Sequence, residues 1–197
     1  MEKEILEFGH FYHIYNRGNN KDDIFFEEDN YRYFLKLLLK YISPISDVYA
    51  YCLLKNHFHL LIRIKSEQEI NTSDFKFSTI EESKSIDPSK QFSHFFNAYT
   101  QAINKCYNRT GSLLEKPFKR KRITEESYLK QVILYIHNNP VKHGLTNNVK
   151  DYKWSSYNSI LSSKNSKLKR KEVLDYFEDE SNFIFSHNNY ELLNLPY

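Results

Sequence analysis

Residues 56–64 (NHFHLLIRI) alternate apolar and polar side chains in the way a half-buried β-strand requires. Successive side chains on a strand point to opposite faces, so Phe58, Leu60, Ile62 and Ile64 enter one core together. His57 and His59 then stand side by side on the other face. Two imidazoles at that spacing can grip one metal ion, and neutral imidazole is a common ligand. The same pattern also suits a pair of hydrogen-bonded surface histidines, and the strand by itself leaves both readings open.

The flanking sequence builds outward from this strand. Residues 48–54 (VYAYCLL) read as a second strand, joined to the histidine strand through a tight turn at Lys55-Asn56. Residues 11–17 alternate and stop at Gly18-Asn19-Asn20, and residues 118–123 form a short, basic strand. A helix capped by Asp29 or Asn30 carries Phe34, Leu37, Leu38 and Tyr41 and closes near Pro44. Residues 91–107 space Phe92, Phe95, Phe96, Tyr99 and Ile103 as a helix does. A third helix starts at Thr124 as cap, has Glu125 and Glu126 in its first turn, and runs to about Asn139, where Pro140 follows.

The order strand–helix–strand–strand–helix–strand–helix predicts an α+β protein with the split βαβ arrangement of ferredoxin-like folds. That is a four-stranded, mainly antiparallel sheet with helices packed on one face and the two histidines on the open face. Residues 1–146 read as one domain, interrupted at 66–90 by a polar, aperiodic insertion expected to be a long surface loop or ill-ordered. Residues 147–197 read as a helical C-terminal extension, with short helices over 154–161 and 171–177 and a polar tail.

With 28 Lys and Arg against 25 Asp and Glu, the formal charge of +3 compels no nucleic-acid partner. Its distribution says more. Residues 116–122 (KPFKRKR) concentrate five cations among aromatic residues, a mixture suited to phosphates and stacked bases. Lys116, Lys119, Arg120, Lys121 and Arg122, with Arg17 on the first strand, are therefore the candidate DNA contacts, positioning a backbone without reading its sequence. Cys52 and Cys106 lack metal-type spacing and read as small buried hydrophobes. The charged N-terminus is no signal peptide, and no run of about 18 apolar residues exists, so the chain reads as cytoplasmic and free of membrane spans.

In the third helix, Leu129, Val132, Ile133 and Ile136 form one apolar stripe. Tyr135 and Asn139, four residues apart, lie beside each other at its edge, so a phenol and a carboxamide oxygen can meet one point. His137 projects roughly 160° away from Tyr135 on a regular helix and is poorly placed as a ligand. His10, His13, His94 and His187 carry no argument for a ligand role, although His13 lies on a neighbouring strand.

Four segments, YHIYNRGN (12–19), HFHLLI (57–62), YIHNNPVKHGL (135–145) and YKWSSY (152–157), together resemble the REP-associated tyrosine transposases. These are single-tyrosine members of the superfamily of "HUH" (His-hydrophobic-His) endonucleases. The likeness runs in the family's order over residues 10–160. It implies a ferredoxin-like fold and metal-dependent cleavage of single-stranded DNA beside a hairpin such as a REP-like palindrome. By this resemblance His57 and His59 match the metal-binding pair, Tyr135 the nucleophile and Asn139 a polar third ligand. Imidazole softness alone suits Zn, Ni or Cu, whereas the resemblance implies Mg2+ or Mn2+. The product would be a 5′-phosphotyrosine and a free 3′-hydroxyl. Lys55 stands where the family usually has proline, His143 where a small residue is commoner, and the 66–90 segment is longer than usual.

Two rivals share the fold. One is a passive nucleic-acid binder that stacks bases on the open face of an RNA-recognition-type sheet. The other is a domesticated, inactive relative retained for DNA binding, which would be expected to have lost a ligand or the tyrosine. Exposed sheet edges would permit a homodimer.

Overall fold

The computed structural model describes residues 4–71 and 86–191. Its elements are β1 (Phe11–Arg17), α1 (Glu28–Tyr41), β2 (Ser46–Leu54), β3 (His57–Ile64), α2 (Pro88–Cys106), β4 (Lys119–Ile123) and α3 (Glu126–Lys142), followed by α4 (Tyr157–Leu161), α5 (Arg170–Tyr176) and α6 (Glu180–Asn188). The strands lie in the order β2-β3-β1-β4, each pair antiparallel, which is the ferredoxin-like arrangement expected from the element order.

Local chemistry explains where the elements begin and end. The two-residue turn Lys55-Asn56 pairs Leu54 with His57. Its carbonyls are held from outside: Lys55 O accepts from Ile24 N (2.9 Å) and Phe25 N (3.0 Å), and Asn56 O accepts from Gly18 N (2.8 Å). Gly18 has to be glycine, because a Cβ there would meet the Asp22 carbonyl oxygen at 1.9 Å. The end of β1 is thereby pinned to the histidine hairpin.

Helix α1 starts at Glu28. Glu27 is its N-cap, and Asn30, expected as a cap, completes a capping box from the third position. Helix α2 begins before residue 91 because the Asp87 carboxylate accepts from Ser89 N (2.8 Å) and Lys90 N (3.2 Å). Of the polar insertion, residues 72–85 lie outside the described residues, and Glu67–Glu69 makes one 3-10 turn. Helix α3 has Glu125 rather than Thr124 at its N-cap. It also runs through Pro140 instead of stopping at Asn139. Pro140 lacks a donor and crowds the carbonyl four residues back, but it lies in the last turn, and His143 N still donates to Asn139 O (3.0 Å).

The expectation of helices on one face needs correction. Helices α1 and α2 cover the face of Tyr12, Ile14, Phe58, Leu60, Ile62 and Ile64, with Phe34, Phe92, Phe95 and Tyr99 filling the core. On the other face, α3 packs Leu129, Val132, Ile133 and Ile136 against Ala50, Cys52, Leu54 and Leu61. Helices α4 to α6 close that second core through Tyr157, Ile160, Val173 and Phe183. The apolar stripe of α3 needs a partner, and β2 supplies it with apolar side chains on both faces. The sheet is therefore sandwiched, with α3 across the β2 side of its second face.

The C-terminal extension also lines the β2 edge. Leu53 N donates to Trp154 O (2.9 Å), Ser156 N to Tyr51 O (2.9 Å) and Lys169 N to Val48 O (3.0 Å). These bonds occupy backbone groups that an edge-to-edge dimer would use at β2. Cys52 is buried as expected, whereas Cys106, at the end of α2, is exposed. Among the described residues no helix is long and apolar enough to cross a membrane.

Candidate functional site

The site forms where β1, β3 and α3 meet. Strand parity puts His13, Tyr15 and Arg17 on the same face as His57 and His59, and the register sets Tyr15 opposite His59 and Arg17 opposite His57. Tyr135 and Asn139 descend onto this row from α3. The Tyr135 ring stands nearly perpendicular to that of His59, with centroids 5.4 Å apart, and 6.1 Å from that of His13. Because α3 continues past Pro140, the Lys142 ammonium lies 5.4 Å from the centre of the Tyr135 ring.

His57 Nδ1 lies 2.7 Å from Asn56 Oδ1, and Asn56 Nδ2 donates to Lys21 O (3.3 Å). Asn56 Oδ1 can only accept, so the neutral His57 ring carries its proton on Nδ1. Its bare Nε2 then faces Asn139 Oδ1 at 3.5 Å. In the metal-free protein, turning the Asn139 amide over makes its Nδ2 a donor to this nitrogen, whereas the orientation seen presents Oδ1. Asn139 is fully buried, and its Nδ2 has no hydrogen-bond partner among the described residues. His59 Nδ1 pairs with His13 Nε2 at 3.0 Å, leaving His59 Nε2 as its other ring nitrogen.

Burial keeps these imidazoles neutral. It pushes His57 down to about 4, aided by the nearby His143 imidazole. Burial, with His13 and His57 alongside, holds His59 well below the ordinary histidine range. Burial likewise lowers His13 to about 3. Neutral imidazole is the form that binds metals. The donors that suit a divalent cation are thus two imidazole nitrogens and one amide oxygen. Among the described residues no group of three His, Cys, Asp or Glu is placed to hold a metal.

The six candidate DNA contacts do not form one patch. Alternation along β4 places Lys119 and Lys121 on the face of the histidines, since they pair with Tyr15 and His13. Lys121 Nζ sits 4.8 Å from the Tyr128 ring. Arg17 is ion-paired to Glu115, whose other oxygen lies 3.8 Å from Lys119 Nζ. Arg120 and Arg122 point to the opposite face, a correction imposed by the two-residue period. Arg120 donates to Ser89 Oγ (2.7 Å) and packs 4.0 Å from the Phe118 ring centre. Arg122 is bound to Glu7, and its Nη2 lies 2.8 Å from His10 Nε2. Lys116 is exposed at the rim of a cavity of about 560 Å3 lined by Asn16, Phe96, Asn97, Glu115 and Phe118.

His13, Tyr15, Lys142 and His143 also belong to the site. The His143 ring lies 5.0 Å from that of His57, and Tyr15 stacks on His59 at 5.9 Å. Parity on β1 groups His13 with Tyr15 and Arg17, but only the β1–β3 pairing brings that row beside the histidine strand. His137 points away, as its position on the helix predicts. It is bonded to His187 Nε2 (2.8 Å) and Ser156 Oγ (2.7 Å).

An antiparallel β2-β3-β1-β4 sheet with helices packed on both faces describes a class of α+β protein. A solved structure of that class is a REP-associated tyrosine transposase bound to a REP hairpin. It superposes on 83% of this chain and 86% of its own, with a TM-score of 0.64 and 15% sequence identity. At that identity the likeness establishes a shared fold, in agreement with the resemblance carried by the four sequence segments. No protein-family model matches the chain, and neither does any curated protein.

Proposed function

We propose that this chain is a transposase-type enzyme that cuts and rejoins single-stranded DNA beside a hairpin, with Tyr135 as nucleophile. The observation that carries the reading is the convergence of two distant segments. His57 and His59 on β3 meet Tyr135 and Asn139 on α3, with the His57 Nε2–Asn139 Oδ1 pair at 3.5 Å and the Tyr135 ring against His59.

Arg17, Lys119 and Lys121 border this face and suit the phosphates of a bound strand. The Tyr135 oxygen attacks phosphorus while the bond to the 3′-oxygen breaks. The phenol gives up its proton and the departing 3′-oxygen gains one. A free phenol titrates near 10, so the phenolate needs stabilising at neutral pH, and the Lys142 cation at the ring supplies positive potential there. The 5′-phosphotyrosine formed is an ester like the one broken, so a 3′-hydroxyl can reverse the step and join strands. His57, His59 and Asn139 would hold a divalent cation, Mg2+ or Mn2+, which when bound neutralises developing charge on the phosphate. The RNA-recognition alternative needs an open aromatic sheet, and here α3 covers the β2 side of that face.

The double variant His57→Ala/His59→Ala tests this reading on a labelled single-stranded hairpin with Mn2+. The fold should persist by circular dichroism, because both rings lie at the margin of the second core. Cleavage should fall about 1000-fold or more, corresponding to several kcal/mol of lost charge stabilisation. Unaltered cleavage would contradict it.

A further inference from the structure

The geometry points to His13 as a positioning residue that selects which nitrogen His59 presents to the site, a role that rests on reading His57 and His59 as a metal-binding pair. His13 is wholly buried on β1, and its Nε2 lies 3.0 Å from His59 Nδ1. The two rings are offset-stacked, with centroids 5.1 Å apart and planes 28° from parallel. His59 can act as a ligand through Nε2 only when its proton sits on Nδ1. That requires an acceptor facing Nδ1, and His13 Nε2, 3.0 Å away, is one when the His13 proton sits on its own Nδ1.

Asn56 does the same for His57 by accepting from its Nδ1 at 2.7 Å. Both imidazoles are then fixed as Nε2 donors, which matches the side of His57 that faces Asn139 Oδ1. Metal-bound histidines commonly donate their second ring N–H to such an outer partner. With both rings buried, the neighbouring strand rather than water faces His59 Nδ1.

Two measurements on the full chain test this. Two-bond 1H–15N imidazole spectra of the metal-free protein at pH 7.5 should show His59 with its proton on Nδ1. In His13→Leu, which keeps bulk and removes the acceptor, that signal should shift toward the Nε2–H form. His13→Gln should restore it, because the amide oxygen can reach the place of His13 Nε2 and accept there. Titration with Mn2+ alone should give 10–100-fold weaker binding in His13→Leu and near wild-type binding in His13→Gln. An Nε2–H His59 in the wild type, or a tautomer indifferent to His13→Leu, overturns the proposal whatever the metal does. If the tautomer behaves as expected but the wild type does not bind Mn2+, the metal reading falls, and with it the purpose assigned to His13.

Discussion

Lowering the pH from 7.5 to 5.5 is expected to reduce the melting temperature of the metal-free protein by about 6–12 °C through one buried histidine pair alone. His137 on α3 and His187 on α6 are among the buried residues, and one arrangement of protons satisfies both neutral rings. His187 Nδ1 donates to Phe183 O (2.7 Å), so its Nε2 accepts from His137 Nδ1 (2.8 Å). His137 Nε2 accepts from Ser156 Oγ (2.7 Å), which itself receives Tyr51 N–H (2.8 Å). Every ring nitrogen is used in the neutral form. A further proton on His187 Nε2 would require His137 to shift its own proton to Nε2 and Ser156 Oγ to turn to Tyr51 O (3.2 Å), leaving a buried charge with no counter-ion beside it among the described residues.

Burial accordingly lowers His187 to about 4 and holds His137 well below the ordinary range. In the unfolded chain both titrate near 6.5. Below that pH the unfolded state takes up protons that the folded state refuses. The stabilisation is complete above about 6.5 and is lost as the pH falls toward 4. Each group costs about 1.4 kcal/mol per pH unit in that window, or about 3 kcal/mol for the pair at pH 5.5. That is a large share of the roughly 5–15 kcal/mol that holds a domain together. His13, His57 and His59, also lowered, add to the loss in the same direction. Thermal melts followed by circular dichroism at the two pH values measure it, and equal melting temperatures would contradict the paired-histidine interface.

The second large effect is chemical. Tyr135→Phe should abolish the covalent protein–DNA adduct and reduce strand cleavage by about 10⁴-fold or more, as removal of a nucleophile does elsewhere. The phenylalanine ring keeps the edge-on packing against His59 and His13 seen for Tyr135. Folding and Mn2+ affinity should therefore stay close to wild type, separating loss of the nucleophile from loss of the site. An adduct that persists in this variant would place the nucleophile elsewhere.

Much of this arrangement was legible in the residues because it follows short-range rules. The period of two in β1 and β3, the Lys55-Asn56 turn and the apolar stripe of α3 each rest on neighbouring positions. So does the adjacency of Tyr135 and Asn139. The hidden features depend on partners distant in sequence. His13 becomes part of the site only through β1–β3 pairing, and α3 covers the second face only because β2 is apolar on both sides. The basic run 116–122 looks continuous as a string, yet a strand divides it, sending Arg120 and Arg122 away from the histidines. Pro140 suggested a helix end, but its position near the C-terminus of α3 costs one bond and leaves Lys142 poised over Tyr135.

The most direct measurement is the site of DNA attachment. The protein would be trapped on a labelled single-stranded hairpin with Mn2+, digested with trypsin, and the nucleotide-bearing peptide identified by mass. Cleavage after Lys130 and Lys142 releases residues 131–142 (QVILYIHNNPVK), in which Tyr135 is the sole tyrosine. The added nucleotide mass is expected on that peptide, and only when His57 and His59 are intact. Attachment to a peptide carrying another tyrosine, such as Tyr15, which also stacks on His59, would contradict the assignment of Tyr135.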